Sequence, residues 1–421
     1  MKDNLKILVV GSGGREFAIA RAFKKSPHVA EVYVAPGNSG LSTIGAKQVN
    51  IEEDDFKGLK NFAIENHIDW TFVGPEDALV AGIVDYFHAA GLKIFGPDAR
   101  AAQLEGSKDY ALQFMDKYNV PHPKYETFTN VESAVNALGS FGYPVVIKED
   151  GLAGGKGVII AENKSVAERT LHEMFDMGQK QVVLEEFLTG SEYSVFVVVQ
   201  DDQYRVLPIA QDHKRAFDDD KGPNTGGMGA YSPVPQLTES QRQSIIDELV
   251  KTSVHGLKLG NYNYHGILYI GLMLTDKGPK MIEYNVRLGD PETEVVLPRL
   301  VTDFAEIIDA NVNNREMPEI KENDLAVLGV ILASKGYPKK PVKGQSLGIL
   351  PSEDNIAIDY ANVSGDLNNL KGNGGRILMV RAEDKDLRKA QKHVYSYLSK
   401  LDEPECFYRK DIGYRATGNK F

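Results

Sequence analysis

The possible folds are limited first by a rhythm at the amino end. From Leu5 to about Pro97, short apolar runs ("KILVVG", "EVYVAPG", "DWTFVGPE", "KIFGP") alternate with helix-like segments ("REFAIARAFKKS", "FKGLKNFAIENH", "LVAGIVDYFHAAG"). This β-α-β-α-β-α-β order predicts a parallel, doubly wound sheet, because parallel strands need crossovers and helices supply them. Three strands end in glycine-containing turns: Gly11–Gly14, Pro36-Gly37-Asn38 and Gly74-Pro75-Glu76. Ligands of such sheets sit at the carboxyl ends of the strands, so these turns are expected to share one crevice. The first turn, "GSGGRE", is not a dinucleotide fingerprint: Glu16 stands where the third glycine belongs, and no acid ends the next strand. A phosphate at the amino end of the following helix and a plain strand–helix turn both stay open.

The rest of the chain is laid out differently. Residues from about 101 to 324 carry a helical piece ending near Pro121, a strand–loop–strand ("YPVVIKEDGLAGGKGVII"), a helix, two strands, a basic glycine-rich stretch and the hairpin "GILYIGLMLTDKGPKMIEYNVR". The last ~95 residues hold strands and a helix, a small α/β lobe of its own. A length of 421 residues suits two to four domains. The net charge of −11 argues against nucleic acid or an anionic membrane as partner, although lysines and arginines gathered locally can still hold an anionic substrate. One cysteine, Cys406, fits a reducing cytoplasm, and no apolar run approaches the ~18 residues of a membrane span.

Four constellations bear chemistry. In "KEDGLAGGKGVII" the lysine of "GGK" is followed by Gly157 rather than Ser or Thr, so the loop is no Walker A motif. It joins strand to strand, and its glycines permit close backbone approach to an anion. In "MIEYNVRLGDPE", residues two apart share a strand face, which aligns Glu283, Asn285 and Arg287. A carboxylate and an amide oxygen suit a hard cation such as Mg²⁺, and the arginine suits a phosphoryl oxygen. In "VVLEEFLTGSE" a strand running into a loop can offer its backbone to an adenine edge, with Glu192 placed for ribose hydroxyls. In "AQDHKRAFDDDKGPNTGGMGAYSPVP", Lys214 and Arg215 sit among four acids; such a run is usually solvated, but long loops in compact domains are often functional. Asp212 and the glycine backbone could hold a small zwitterion, and Lys214 a phosphate.

Taken in order, Lys108, Lys148, the glycine loop, "EEFL", Glu192 and the Glu283/Asn285/Arg287 strand resemble the ATP-grasp enzymes, in which two α+β lobes close on ATP. More closely, the chain resembles the glycinamide ribonucleotide synthetase (phosphoribosylamine–glycine ligase) family. The matching strings are "GSGGRE", "VGPE", "AAQLEGSK", "IKEDGLAGGKGV", "EEFLTGSE", "QDHKRAFDDDKGPNTGGMGAYSP", "NVRLGDPETEVVLPRL", "GGRILMV" and "FYRKDIGYRA". The resemblance implies an N-terminal α/β domain (1–103), a two-lobed ATP-grasp domain (104–325) with a mobile lobe at about 121–190, and a C-terminal domain (326–421). It implies ATP held by Lys108, Lys148, the flap of Gly154, Gly155, Lys156 and Gly157, and Glu185, Glu186, Leu188 and Glu192. Glu283 and Asn285 would hold Mg²⁺ or Mn²⁺; Arg287, Asp212 and Lys214 would serve the reacting centre. Phosphoribosylamine would meet Gly11, Gly13, Gly14, Arg15, Glu16, Gly74, Pro75 and Glu76. Glycine would meet Asp212 with Gly226, Gly227 and Met228, and Asp290, Pro291 and Glu292 complete the substrate site.

The implied reaction joins glycine to 5-phosphoribosylamine through glycyl phosphate, in a cytoplasmic monomer acting on small molecules. The alternatives are an ATP-grasp ligase for another carboxylate–amine pair and a nucleotide-binding protein without turnover. The chain departs from the family at Phe17, where a histidine is usual, at Glu149 and Gly154, and in "IDYANVSG", which lacks the family's histidine-containing turn.

Overall fold

The structure is a computed structural model and describes residues 2–152, 154, 157–401 and 404–421. At the amino end, β1 (Leu5–Gly11), β2 (Val29–Pro36), β3 (Lys47–Gln48), β4 (Trp70–Val73) and β5 (Ile94–Phe95) form a parallel sheet in the order β3-β2-β1-β4-β5. Helices α1 (Gly14–Lys25), α2 (Phe56–Glu65), α3 (Glu76–Val80) and α4 (Ile83–His88) make the crossovers. Ile7, Leu8, Val9 and Val10 are all buried, as a strand covered on both faces requires. Strand order reverses at β1, so the crevice opens between the ends of β1 and β4.

Two capped helices lead onward. Asp98 accepts the Ala101 N–H at the start of α5 (Ala99–Gly106), and Ser107 accepts the Tyr110 N–H at the start of α6 (Lys108–Lys117). Next comes a small lobe of β6 (Tyr125–Phe128), α7 (Val131–Ala137), β7 (Val145–Glu149), β8 (Val158–Ala161), α8 (Lys164–Asp176) and β9 (Val182–Glu186), its antiparallel sheet ordered β6-β9-β7-β8. The glycine loop joins β7 to β8, strand to strand. This lobe has a core of its own, including Val145, Ile147, Leu171, Met174, Val182 and Leu184, separate from the core that runs through the rest of the molecule.

The larger lobe carries β10 (Ser191–Gln200), β11 (Gln203–Val206), the short β12 (Gln211–Asp212), a hairpin of β13 (Arg215–Phe217) and β14 (Lys221–Asn224), β15 (Gly229–Ser232), and the hairpin β16 (His265–Thr275) and β17 (Gly278–Asn285). Strands β11-β10-β16-β17 make one antiparallel sheet. The sheet of the C-terminal lobe is not built from that lobe alone. Its β18 (Ala326–Ser334) pairs on one side with Arg376–Asp384 and on the other with β15, which brings β12 along. The long basic stretch is thus not a free loop; it threads two short strands into the neighbouring sheet.

Candidate active site

The three strand-end turns do meet. The Gly37 N–H donates to the Gly11 carbonyl at 3.1 Å, and the Gly74 N–H to the Val10 carbonyl at 3.0 Å. Asn38 Nδ2 donates to the Ser12 carbonyl at 2.8 Å. The Gly11–Gly14 and Gly74 turns share a support in Glu16, whose carboxylate accepts the Gly13 N–H at 2.7 Å and pairs with Arg15 Nε at 2.5 Å. A Cβ at Gly11 would stand 2.5 Å from Glu16 Cγ, and one at Gly74 would overlap the carboxylate. Glycine is required here for close packing. Glu16 is itself 2% exposed, so within this crevice it faces the turns rather than open solvent.

Arg287 ties this crevice to β17. Its guanidinium donates to Glu76 Oε2 at 3.1 Å and to Asn285 Oδ1 at 3.3 Å, and it pairs with Glu105 Oε1 at 2.9 Å. Arg15 reaches the same Glu76 at 3.6 Å. Arg287 holds the Glu76 carboxyl down at about 2, with burial opposing and Arg15 assisting. Glu105 is more deeply buried, and that burial pushes its carboxyl up to about 7 against the pull of Arg287. Its second oxygen accepts the Val286 N–H at 2.7 Å, so α5 braces the backbone next to Asn285. Sequence reasoning placed no role on Glu105. The string "AAQLEGSK" was the one local signal, and it marks a family rather than a contact.

A second cluster lies farther back along β17, around Glu283. Lys214 makes a short ion pair with Glu192 and stands 3.7 Å from Glu283. Glu192 and Lys214, assigned from the sequence to different ligands, are therefore partners of each other. Burial opposes the charge of Lys214, yet Glu192, Glu283 and Asp212 hold its pKa well above the usual lysine value. Burial also acts to raise Glu283, but Lys214, Lys148, Lys108 and Arg287 together keep it below the ordinary carboxylate range. Asp212 goes the other way: burial pushes its carboxyl up to about 8 against Lys214. Glu292 is buried and accepts from Ser194 Oγ at 2.8 Å and from the Tyr269 hydroxyl at 3.3 Å.

The small lobe contributes from above. Lys148 Nζ pairs with Glu185 at 2.8 Å and donates to the Ile282 carbonyl of β17 at 3.2 Å. Glu185 keeps one buried oxygen without a hydrogen-bond partner. The Glu186 carboxylate pairs with Lys280 at 2.5 Å, and Leu188 is half-buried in the connection to β10. Lys108 Nζ donates to the Gly151 carbonyl at 2.8 Å, while Asp150 accepts the Lys108 N–H at 2.7 Å. Burial lowers the Lys108 pKa, and Lys148 adds to this against Glu283. Gly154 has φ +54 and open space about it; Gly155 and Lys156 lie outside the described residues.

The C-terminal lobe closes the site through Arg376, which the sequence left unassigned. One nitrogen donates to the carbonyls of Gly226, Asp290 and Gly227 at 2.8, 2.8 and 3.3 Å, and another pairs with Asp290 at 2.9 Å. A Cβ at Gly227 would overlap the Pro291 ring. Met228 is wholly buried, its N–H on the His213 carbonyl. Two departures from the family pattern are neighbours: Phe17 is buried edge-on against Tyr360 of "IDYANVSG", ring centroids 5.5 Å apart.

Glu283 and Asn285 fit a hard cation by donor type, both oxygens lying on one face of β17 among lysines suited to phosphate. Among the described residues no group of three or more His, Cys, Asp or Glu converges on a metal position. A cation here would draw its remaining ligands from phosphate and water. Among the described residues, no helix is long and apolar enough to cross a membrane.

Comparison with known proteins agrees with this architecture. The N, ATP-grasp (A) and C domains of phosphoribosylglycinamide synthetase match residues 5–105, 106–293 and 327–415. The chain is 48% identical to a phosphoribosylamine–glycine ligase of Streptococcus suis, over 98% of this chain and 100% of that one. It is 46% identical to the ligase of Halalkalibacterium halodurans, over 99% and 98%. The crystal structure of the Thermotoga maritima phosphoribosylamine–glycine ligase superposes with a TM-score of 0.85 at 34% identity, covering 97% of this chain and 100% of that one. The Campylobacter jejuni biotin carboxylase, 17% identical with a TM-score of 0.74 over 96% of this chain and 92% of that one, shares the fold. With three domain matches in order and near-complete coverage at close to half identity, the chain belongs to the phosphoribosylglycinamide synthetase family.

Proposed function

We propose that this ATP-dependent ligase joins glycine to 5-phosphoribosylamine, giving glycinamide ribonucleotide, ADP and phosphate on the route to purines. One observation carries the reading beyond family membership. Arg287 pairs with Glu76 at 3.1 Å, which sets the phosphate-handling strand β17 directly against the anion-friendly strand ends of the amino-terminal sheet. A ligase that activates one substrate and delivers it to another needs both sites side by side.

A carboxylate is a poor electrophile, and ATP makes it a good one. The glycine carboxylate attacks the γ-phosphorus, forming glycyl phosphate and releasing ADP. The amine of phosphoribosylamine then attacks the acyl carbon, and phosphate leaves. In this reading Lys108, Lys148, Glu185, Glu186, Leu188 and Glu192 bind ATP, and the flap from Gly154 to Gly157, with Lys156, covers the triphosphate and excludes water from the acyl phosphate. Glu283 and Asn285 hold Mg²⁺ or Mn²⁺, which supplies charge neutralisation when bound. Asp212, Lys214, the Gly226–Met228 turn and Asp290–Glu292 take glycine. The turns at Gly11–Glu16 and Gly74–Glu76 take phosphoribosylamine, with Arg15 near its phosphate and Arg287 at the reacting centre. The reading extends to a cytoplasmic monomer acting without nucleic acid or membrane, supported by the net charge of −11 and a single cysteine.

The test is ADP release from Mg-ATP with glycine, with and without phosphoribosylamine generated in place from ribose 5-phosphate and ammonia. Release is expected to require both substrates. ATP binding with no ADP formed when both are present would sink the assignment.

A further inference from the structure

The motif "FYRKDIGYRA" near the carboxyl end has no place in the reaction above, yet its side chains converge on one segment of the candidate site. Arg409 is wholly buried, with both Nε and a terminal nitrogen on Asp411 at 2.7 and 2.8 Å. Its remaining nitrogen donates to the Arg215 carbonyl and to Asp220 Oδ1, each at 3.0 Å. Arg415 donates to the Asp212 carbonyl at 2.9 Å and to Asp220 Oδ2 at 2.8 Å. The Tyr414 hydroxyl donates to the same oxygen at 2.9 Å. Between the two arginines, the Gly413 N–H donates to His213 Nε2 at 3.3 Å.

Two arginines of the carboxyl terminus therefore grip the carbonyls of Asp212 and Arg215, one on each side of His213-Lys214, and Asp220 links the two grips. On its inner face the same segment is held by ordinary backbone pairing: Asp212 with Ala230, and the Thr225 N–H on the Lys214 carbonyl at 2.8 Å. Carbonyls that accept from a guanidinium are fixed in direction as well as distance, since the donors form a rigid fork. What this fixes is the aim of the Asp212 and Lys214 side chains, the second of which meets Glu192 and Glu283.

We infer that Arg409 and Arg415, joined through Asp220, are positioning residues that hold the Asp212–Lys214 segment in register for the carboxylate-bearing substrate. The inference rests on the proposal that this segment meets glycine. Arg415 is the residue to vary, because it is partly exposed and its loss leaves the buried Arg409–Asp411 pair intact.

The experiment measures KM for glycine and for ATP separately in wild type, Arg415→Ala, Asp220→Asn and Asp212→Asn, with amide hydrogen exchange over residues 212–217 and thermal unfolding of each. Arg415→Ala is expected to raise the glycine KM at least about tenfold and leave the ATP KM within about twofold, with faster exchange in 212–217. Asp220→Asn, which weakens both grips, should move the same constants in the same direction. A glycine KM unchanged in both variants, with or without a fall in melting temperature, overturns the clamp when Asp212→Asn does raise it. If Asp212→Asn leaves the glycine KM unmoved, the glycine assignment is what has failed. The clamp is then decided by exchange: unaltered protection of 212–217 in Arg415→Ala overturns it.

Discussion

Arg287 pairs with two carboxylates, Glu76 and Glu105, and its surroundings set what its loss does. Glu76, Glu105 and Asn285 hold the guanidinium between β17 and the strand ends proposed for phosphoribosylamine. Arg287→Ala is expected to lower kcat on the order of 10²–10³-fold while ATP affinity stays nearly constant, since a developing charge loses its stabiliser. Equal loss in ATP binding, read by calorimetry, would make it a ground-state binder instead. Glu76 has a separate signature. Its carboxyl titrates at about 2 when folded, held down chiefly by Arg287, against roughly 4.3 unfolded. A depressed carboxyl stabilises the fold above the unfolded value and loses that stabilisation as pH falls towards the folded one. The stability of wild type relative to Glu76→Gln should fall by about 1–2 kcal/mol between pH 7 and pH 3. A gap in urea stability that does not change between those pH values would separate Glu76 from the ion pair. Arg287 lies just past the end of β17, but the alignment of Glu283 and Asn285 was legible because strand periodicity is local. Glu105 and Arg376 were not, since their partners lie 181 and 150 residues away and nothing in the neighbouring sequence marks the contact.

At the scale of elements, the small lobe has an apolar cluster of its own, while Val183 and Tyr125 of the same sheet join the main core. Leu171 of α8 shares with Val145, Ile147 and Val182 a cluster distinct from the main core. Leu171→Ala should cost about 2–5 kcal/mol, and that cost should fall on this lobe. Hydrogen exchange is expected to accelerate across β6–β9 and α8 while β1–β5 keep their protection. Uniform acceleration through both cores would show the lobes to be one cooperative unit. The strand–loop–strand here was legible from β-branched runs flanking clustered glycines. The stretch from 211 to 232 was not: its strands are two to four residues long, rich in Gly, Pro and Asp, and they exist because β18 and the carboxyl terminus supply partners. Local propensity argues for a loop, and tertiary pairing overrules it.

For the whole molecule, the shared sheet decides what counts as a unit. The change of rhythm near residues 101 and 326 reveals three lobes in the sequence, but it cannot reveal that one sheet crosses between two of them. Strand β18 has Val327, Leu328 and Val330 buried, and it pairs along Gly229–Ser232 as well as with Arg376–Asp384. The approach at that seam is close: a Cβ on Gly229, at φ +154, would stand 2.6 Å from the Gly329 carbonyl oxygen. Arg376 adds three carbonyls and Asp290 across the same boundary. Residues 326–421 expressed alone would leave one edge of β18 without its ladder and uncover the apolar side chains beneath it. Such a fragment is expected to show no cooperative urea transition and no native-like near-ultraviolet signal, although its length of roughly 100 residues would otherwise suffice for a domain. Adding residues 1–325 in trans should restore the transition, because the missing strand is supplied by β15. A sharp, reversible transition of the isolated fragment would mean that the pairing with β15 is a contact between finished domains rather than part of one fold.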